Sequence, residues 1–151
     1  MLKTLPAIDF LQLAGYANSQ GAIGGLMGYW EDLPQQCPPA TAADVAINEA
    51  YRLVGANPPE KEHFASYAKR GRPVPPTVDP CSWASCSFFT SIEHIRNMPS
   101  LPKIRDNGSS FVAKLSVPVG AGMSRKKGKH IDFWMFDTFD PVSATIKVEP
   151  I

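Results

Sequence analysis

The stretch FVAKLSVPVGAGMSRKKGKHIDFWMFDTFDPVSATIKVE, residues 111–149, decides the fold class. Apolar and polar residues alternate from Phe111 to Val117, which predicts a half-buried strand. Residues 131–136 are apolar on both faces and predict a central strand, and residues 143–149 alternate again. Asp140-Pro141 predicts the turn between the last two strands. Because the spacing leaves no room for helices between these strands, we expect an antiparallel sheet.

The sequence before residue 111 favours short helices with two further strands. Apolar periodicity and capping residues predict helices at 7–18, from Thr41 onward, at 60–70 and at 91–97, the last one stopped by Pro99 and Pro102. Strands are predicted at 49–54 and 83–89. We therefore interpret residues 1–151 as one α+β domain, with a helical, glycine-rich region 1–48 and an α+β core 49–151. Short helices in the N-terminal half would pack on a mainly antiparallel sheet formed largely by the C-terminal half.

Composition sets limits on the function classes. The chain has 151 residues, of which 44% are hydrophobic and 19% charged, with a formal net charge of +1. Disordered chains combine low hydrophobicity with high charge, so a packed domain is expected. The small net charge implies no bulk attraction to nucleic acid or to a membrane. Because the apolar run after Leu5 is interrupted by Asp9, we expect a cytoplasmic protein, or one exported by a route without a Sec-type signal peptide.

The cysteines are Cys37, Cys81 and Cys86. An odd number favours free thiols in a reducing compartment, although Cys81 and Cys86 could pair in an oxidising one. A C-x4-C pair without a second pair does not predict a zinc site. No metal cofactor is therefore expected.

Two segments carry the first candidate binding residues. Tyr51-Arg52 lies in a predicted strand, where an arginine either faces solvent, forms an ion pair, or grips a phosphate or carboxylate. Ser85 and Ser87 lie in a predicted strand that leads into a capped helix. Their hydroxyls either occupy one ordinary strand face or help to bind an anionic ligand beside the helix N-terminus.

Two further segments lie near the third predicted strand. His130 and Asp132 are two residues apart, so their side chains share a face and could act as an acid/base pair, although a surface histidine and aspartate are the more common case. The basic run from Arg125 to Lys129 predicts a solvated loop between strands. It is also the sole sign of a nucleic-acid-binding or nuclease domain, and nucleic acid is not an expected partner.

The order Tyr51-Arg52, helix, Ser87-Phe88-Phe89-Thr90-Ser91, capped helix and β-rich end resembles the ADP-ribosyltransferase-like superfamily, which includes bacterial toxins and NAD-consuming relatives. The resemblance covers about residues 49–151. It implies NAD, or a related nucleotide, as a substrate of a small toxin or effector. Arg52 would then contact the phosphates, with Tyr51, Ser85 and Ser87 in the same pocket.

No late glutamate matches the pattern of that superfamily, because only two residues follow Glu149. His130 or Asp132 would have to polarise the ribose in its place. The alternative is a non-catalytic protein–protein interaction or immunity-type module, because the sequence holds no self-sufficient catalytic signature. Its interface would be formed by residues 21–30 and the long proline loops.

Overall fold

The structure is a computed structural model that describes residues 28–151. Six strands form one antiparallel sheet in the order β4-β5-β2-β1-β3-β6. They are β1 (Ile47–Val54), β2 (Cys86–Phe89), β3 (Phe111–Val117), β4 (Gly122–Lys127), β5 (His130–Met135) and β6 (Thr145–Pro150). The short helices are a 3-10 helix (Lys61–Phe64), α1 (Pro80–Trp83), α2 (Ile92–Arg96) and α3 (Leu101–Asp106). The described part of the chain is therefore α+β, with the sheet dominant.

Four of the predicted strands, three from alternation and one from an apolar run, are confirmed. Strands β1, β3, β5 and β6 lie where the pattern places them, with ends that differ by no more than two residues. The strand predicted from residue 83 begins only at Cys86, because residues 80–83 form α1, whose first turn is capped by Asp79. The basic run 124–129 was predicted as a loop, and this prediction is wrong. Strand β4 continues to Lys127 opposite His130, and the turn needs only residues 128–129, with Gly128 at φ +63°.

The helices predicted in the N-terminal half are not found in the described residues. The helix predicted at 7–18 lies outside them. No helix follows Thr41, because Ala43 exchanges backbone hydrogen bonds with Ser124 at the edge of β4 (2.9 and 2.8 Å). The helix predicted at 60–70 is reduced to the 3-10 turn Lys61–Phe64. Its continuation is blocked because the carbonyls of His63 and Ala65, which a longer helix would need, accept hydrogen bonds from Arg52 instead.

The helix predicted at 91–97 is confirmed as α2. Its N-cap is Ser91, whose side chain accepts a hydrogen bond from the backbone N–H of His94. The helix ends at Arg96, before both prolines, as predicted. Pro102 lies in the first turn of a further helix, α3, where a missing N–H costs nothing.

Side chains alternate between two faces of the sheet, and each face is covered. One face, called here the core face, packs beneath Trp30 and residues 139–144, and it buries Ala50, Val54, Phe88, Leu115, Ile131 and Phe133. Burying each large side chain of this kind stabilises the fold by about 1.5–3 kcal/mol. The other face, called the helix face, packs Ile95 of α2 and Leu101 of α3 on Val112, with Tyr51, Leu53 and Phe89 at the margin.

A disulfide joins Cys37 to Cys81, with 5.5 Å between their Cα atoms. The prediction of free thiols is therefore wrong for these two residues, and so is the alternative pair Cys81–Cys86. Cys86 is free and buried on the core face. The odd number of cysteines favoured free thiols, but the fold brings the segment that contains Cys37 to Cys81 in α1, 44 residues away in sequence. The bond ties that segment to α1.

Candidate functional site

Arg52 is held entirely by backbone oxygens. Its Nε donates to the carbonyl of His63 (3.0 Å), Nη1 to that of Ser87 (2.9 Å) and Nη2 to that of Ala65 (2.8 Å). The half-buried guanidinium thus joins β1 to β2 and to the end of the 3-10 helix. These bonds use the fork that a phosphate or carboxylate would otherwise occupy.

The side chains of Arg52 and Ser87 leave the sheet on opposite faces. Tyr51 lies opposite Phe89 in the β1–β2 ladder, so these two side chains share a face. Arg52 is one residue from Tyr51, so its side chain points to the face opposite that of Tyr51 and Phe89. Ser87 is two residues from Phe89, so its side chain points to the same face as Phe89. Arg52 meets Ser87 only through its main-chain carbonyl. The predicted pocket between the two side chains is not formed.

Ser87, His130 and Asp132 do share the helix face. Ser87 is opposite Asp132, and Phe89 is opposite His130, in the β2–β5 ladder. His130 is exposed and its ring lies against Phe89, with 4.7 Å between the ring centroids. Tyr51, in the next strand, donates its hydroxyl to Glu49 Oε1 (3.2 Å). Burial and this carboxylate raise the pKa of Tyr51.

Asp132 is buried and paired. Its Oδ2 accepts a hydrogen bond from Arg125 Nη2 (2.9 Å) and one from the hydroxyl of Ser82 (3.0 Å). The same Arg125 nitrogen lies 3.7 Å from Asp79. These contacts fix α1 on β5 beside Trp134, whose indole N–H donates to the carbonyl of Cys81 (3.0 Å). Asp132 therefore holds two elements together.

The remaining serine and thiol candidates are buried. Ser85 donates its hydroxyl to the carbonyl of Ser82 (2.7 Å), closing the turn after α1. Cys86 lies on the core face, and burial raises the pKa of its thiol, with Arg52 acting in the opposite direction. A thiol in such surroundings is a poor nucleophile at neutral pH.

The described residues form pockets in at least two places. One lies between Trp30, Leu33 and Trp134. The other is an open groove beside Leu101, Arg105 and the last residues of the chain. None of Arg52, Ser87, His130 and Asp132 lines either pocket. Within residues 28–151, no group of three or more histidine, cysteine, aspartate or glutamate side chains is placed to hold a metal ion.

Sequence reasoning missed a surface built from three aromatic and three cationic side chains. Lys61 Nζ and Lys69 Nζ each lie 4.8 Å from the ring centroid of Trp30. Tyr67 stacks on Trp83 at 4.6 Å between ring centroids, and the Arg72 guanidinium lies 5.1 Å from the Tyr67 ring. We call this the aromatic–cationic surface; its members are Trp30, Lys61, Tyr67, Lys69, Arg72 and Trp83.

The backbone holds this surface in place. The Trp83 indole N–H donates to the carbonyl of Arg72 (2.9 Å). The Glu31 carboxylate accepts hydrogen bonds from the N–H of Ser66 (2.8 Å) and from its hydroxyl. The sequence did carry a signal, namely Lys69-Arg70-Gly71-Arg72. It was interpreted as the charged end of a helix that does not form.

Comparisons with protein-family models, with curated proteins and with solved structures found no match for this chain. Among the helices of residues 28–151, none combines the length and the apolar character that a membrane crossing requires.

Proposed function

We propose that this chain is a non-catalytic protein–protein interaction module, of the immunity or partner-binding type. The observation that carries the proposal is the use made of Arg52. Each of its three guanidinium nitrogens donates to a carbonyl of the chain itself, and its side chain points away from the face that holds Ser87, His130 and Asp132. Residues meant to act on one nucleotide would have to converge in a single cleft.

A second candidate is the NAD-consuming, ADP-ribosyltransferase-like activity. One observation favours it: Ser87, His130 and Asp132 lie on the same face of the β2–β5 ladder. Asp132, however, is buried and paired with Arg125, and His130 lies against Phe89. Neither is poised over an open pocket where a ribose could develop positive charge. We therefore rank this activity second.

The two candidates differ in a direct assay. Purified protein is incubated with NAD, nicotinamide release is followed by chromatography, and the melting temperature is measured with and without NAD. The interaction module predicts no release and no shift in melting temperature, because a ligand that does not bind cannot stabilise the folded state. Release that is abolished by His130→Ala, a substitution at an exposed position, would establish the enzyme instead.

We further propose that the chain matures in an oxidising compartment. The Cys37–Cys81 disulfide supports this proposal over residence in the cytoplasm, because such bonds persist where thiols are not kept reduced. Alkylation of the unreduced protein under denaturing conditions should label one thiol, that of Cys86. Labelling of all three cysteines in protein taken directly from its cells would contradict it.

A further inference from the structure

We infer that the aromatic–cationic surface binds an acidic segment of a partner protein. This inference rests on the proposed function and names the partner's chemistry. It starts from Lys69, Arg70 and Arg72, which are all exposed. None of these three cations forms an ion pair within 4 Å with an acidic group of residues 28–151.

Other cations of the chain behave differently. Lys114 lies 3.8 Å from Glu49, Arg96 lies 3.7 Å from Glu93, and Arg125 is bonded to Asp132. The acid nearest to Lys69 along the hydrogen-bond network is Glu31, and its carboxylate is used by Ser66. The positive charge of residues 69–72 is therefore left for a group outside the described chain. A carboxylate-rich partner has the complementary charge.

The crowding of cations supports the same conclusion. Burial is the main cause that lowers the pKa of Arg70, and the guanidinium of Arg52 is the second. Arg72 acts in the same direction. The charged form of Arg70 is thus disfavoured by two neighbouring guanidinium groups. A carboxylate placed beside Arg70 would favour it, because opposite charges at close range stabilise the charged forms.

The surface is also fixed before any partner arrives. The backbone N–H groups of Arg70, Gly71 and Arg72 donate to the carbonyls of Ser66 (3.1 Å), Ala68 (3.0 Å) and Tyr67 (3.0 Å). Gly71 adopts φ +81°, which glycine tolerates without strain. A turn held in this way loses little conformational entropy on binding, so more of the contact energy appears as affinity.

Apolar groups beside the cations favour a protein partner. Tyr67 and Val74 are 44% and 41% exposed, and tyrosine, tryptophan and arginine are the residues that most often dominate protein interfaces. A single-stranded nucleic acid fits less well. Its bases would need open aromatic faces for stacking, whereas the chain's own cations already lie over Trp30 and Tyr67.

The test uses poly-L-glutamate as the carboxylate probe and oligo-deoxythymidine of similar length as the phosphate probe. Binding is measured by quenching of the intrinsic tryptophan fluorescence of the full chain, since Trp30 and Trp83 are part of the surface. The test variant is Lys69→Gln/Arg72→Gln. The control is Lys126→Gln/Lys129→Gln, which removes the same charge from the exposed β4–β5 hairpin. Melting temperatures confirm that both variants fold.

We expect poly-L-glutamate to bind the unmodified chain and to bind the test variant about tenfold more weakly, since each rim charge contributes modestly. The affinity of the control for poly-L-glutamate should lie within about twofold of that of the unmodified chain. Raising the salt from about 0.05 M to about 0.3 M should weaken binding by the unmodified chain and by the control, because salt screens exposed charges. Absence of poly-L-glutamate binding, equal weakening by the control, or tighter binding of oligo-deoxythymidine would each overturn the inference. If the poly-L-glutamate test fails and NAD gives no nicotinamide release, the proposed role of this surface is refuted but the interaction module is not. Nicotinamide release would refute the interaction module itself.

Discussion

Replacing Arg52 with glutamine separates a structural role of this arginine from a ligand-binding one. The guanidinium satisfies three carbonyls on two segments, those of His63 and Ala65 at the end of the 3-10 helix and that of Ser87 in β2. A glutamine amide can reach one of them at most, so two part-buried carbonyls lose their protein donor. An unsatisfied buried polar group costs about 1–3 kcal/mol. The half-exposed setting places the total toward the low end, at about 3 kcal/mol for the pair.

A loss of this size is large against the total stability of a domain, which is about 5–15 kcal/mol. It should appear in urea unfolding followed by tryptophan fluorescence, as a lower midpoint with an unchanged slope. Arg52→Lys should recover less than half of the loss, because an ammonium is a compact point donor that cannot span three acceptors. The matched control is Arg96→Gln, whose exposed pair with Glu93 contributes no more than about 0.5 kcal/mol.

The structural role would be refuted by one specific combination of results. Suppose that the free energy of unfolding of the Arg52→Gln variant lies within about 1 kcal/mol of that of the unmodified chain. If the variant also loses an NAD-induced rise in melting temperature that the unmodified chain shows, then Arg52 binds the ligand. The carbonyl contacts would in that case be incidental. The interaction module predicts the opposite combination, a large loss of stability and no NAD effect in either protein.

Three further predictions concern the frame that presents the surface. Changing Cys37 and Cys81 to serine should cost about 4 kcal/mol, or about 8–16 °C in melting temperature, from the loop entropy of a 44-residue separation; a drop that reduction with dithiothreitol does not reproduce would contradict this. Gly122→Ala should cost about 2–3 kcal/mol, since a Cβ there meets the backbone of β5, and a neutral urea midpoint would speak against the β4–β5 packing. A hydrogen bond from Ser143 lowers the pKa of Asp140. The contribution of Asp140 to stability is therefore present above its unfolded pKa and is lost as the pH falls through its folded pKa. Asp140→Asn should flatten the decline of the urea midpoint in acid, and an unchanged decline would refute this.

The parts of the fold that follow from local pattern could be predicted. Alternation is enough to place β1, β3 and β6, and an apolar run on both faces places β5, both sides of which are buried. Strand β4 was not predicted, because it lies at the sheet edge and ends in Lys126 and Lys127, which face no apolar layer. The buried residues Gly122 and Ser124 carry too weak an apolar signal to mark it.

Non-local contacts explain what local pattern could not predict. The sequence from Glu60 to Arg70 has good helix-end charges and an apolar stripe, yet Arg52, eleven residues before His63, takes the carbonyls that the helix would use. The candidate site failed to converge for a related reason. Whether Arg52 and Ser87 share a face depends on the β1–β2 register, and shifting that register by one residue would reverse the answer.

The partners of each basic side chain distinguish structure from function better than its position in a motif. Arg52 was predicted as a site residue and Arg125 as part of a solvated basic loop, but the first is bonded to carbonyls and the second to Asp132. Evolution of a stable fold alone accounts for both. Lys69 and Arg70 were expected at the end of a helix, yet they lie with Arg72 on a turn held by backbone hydrogen bonds, with no carboxylate from residues 28–151 within ion-pair distance. Mutual repulsion makes such a cluster costly to the isolated fold, and the acidic partner proposed above would offset that cost on binding.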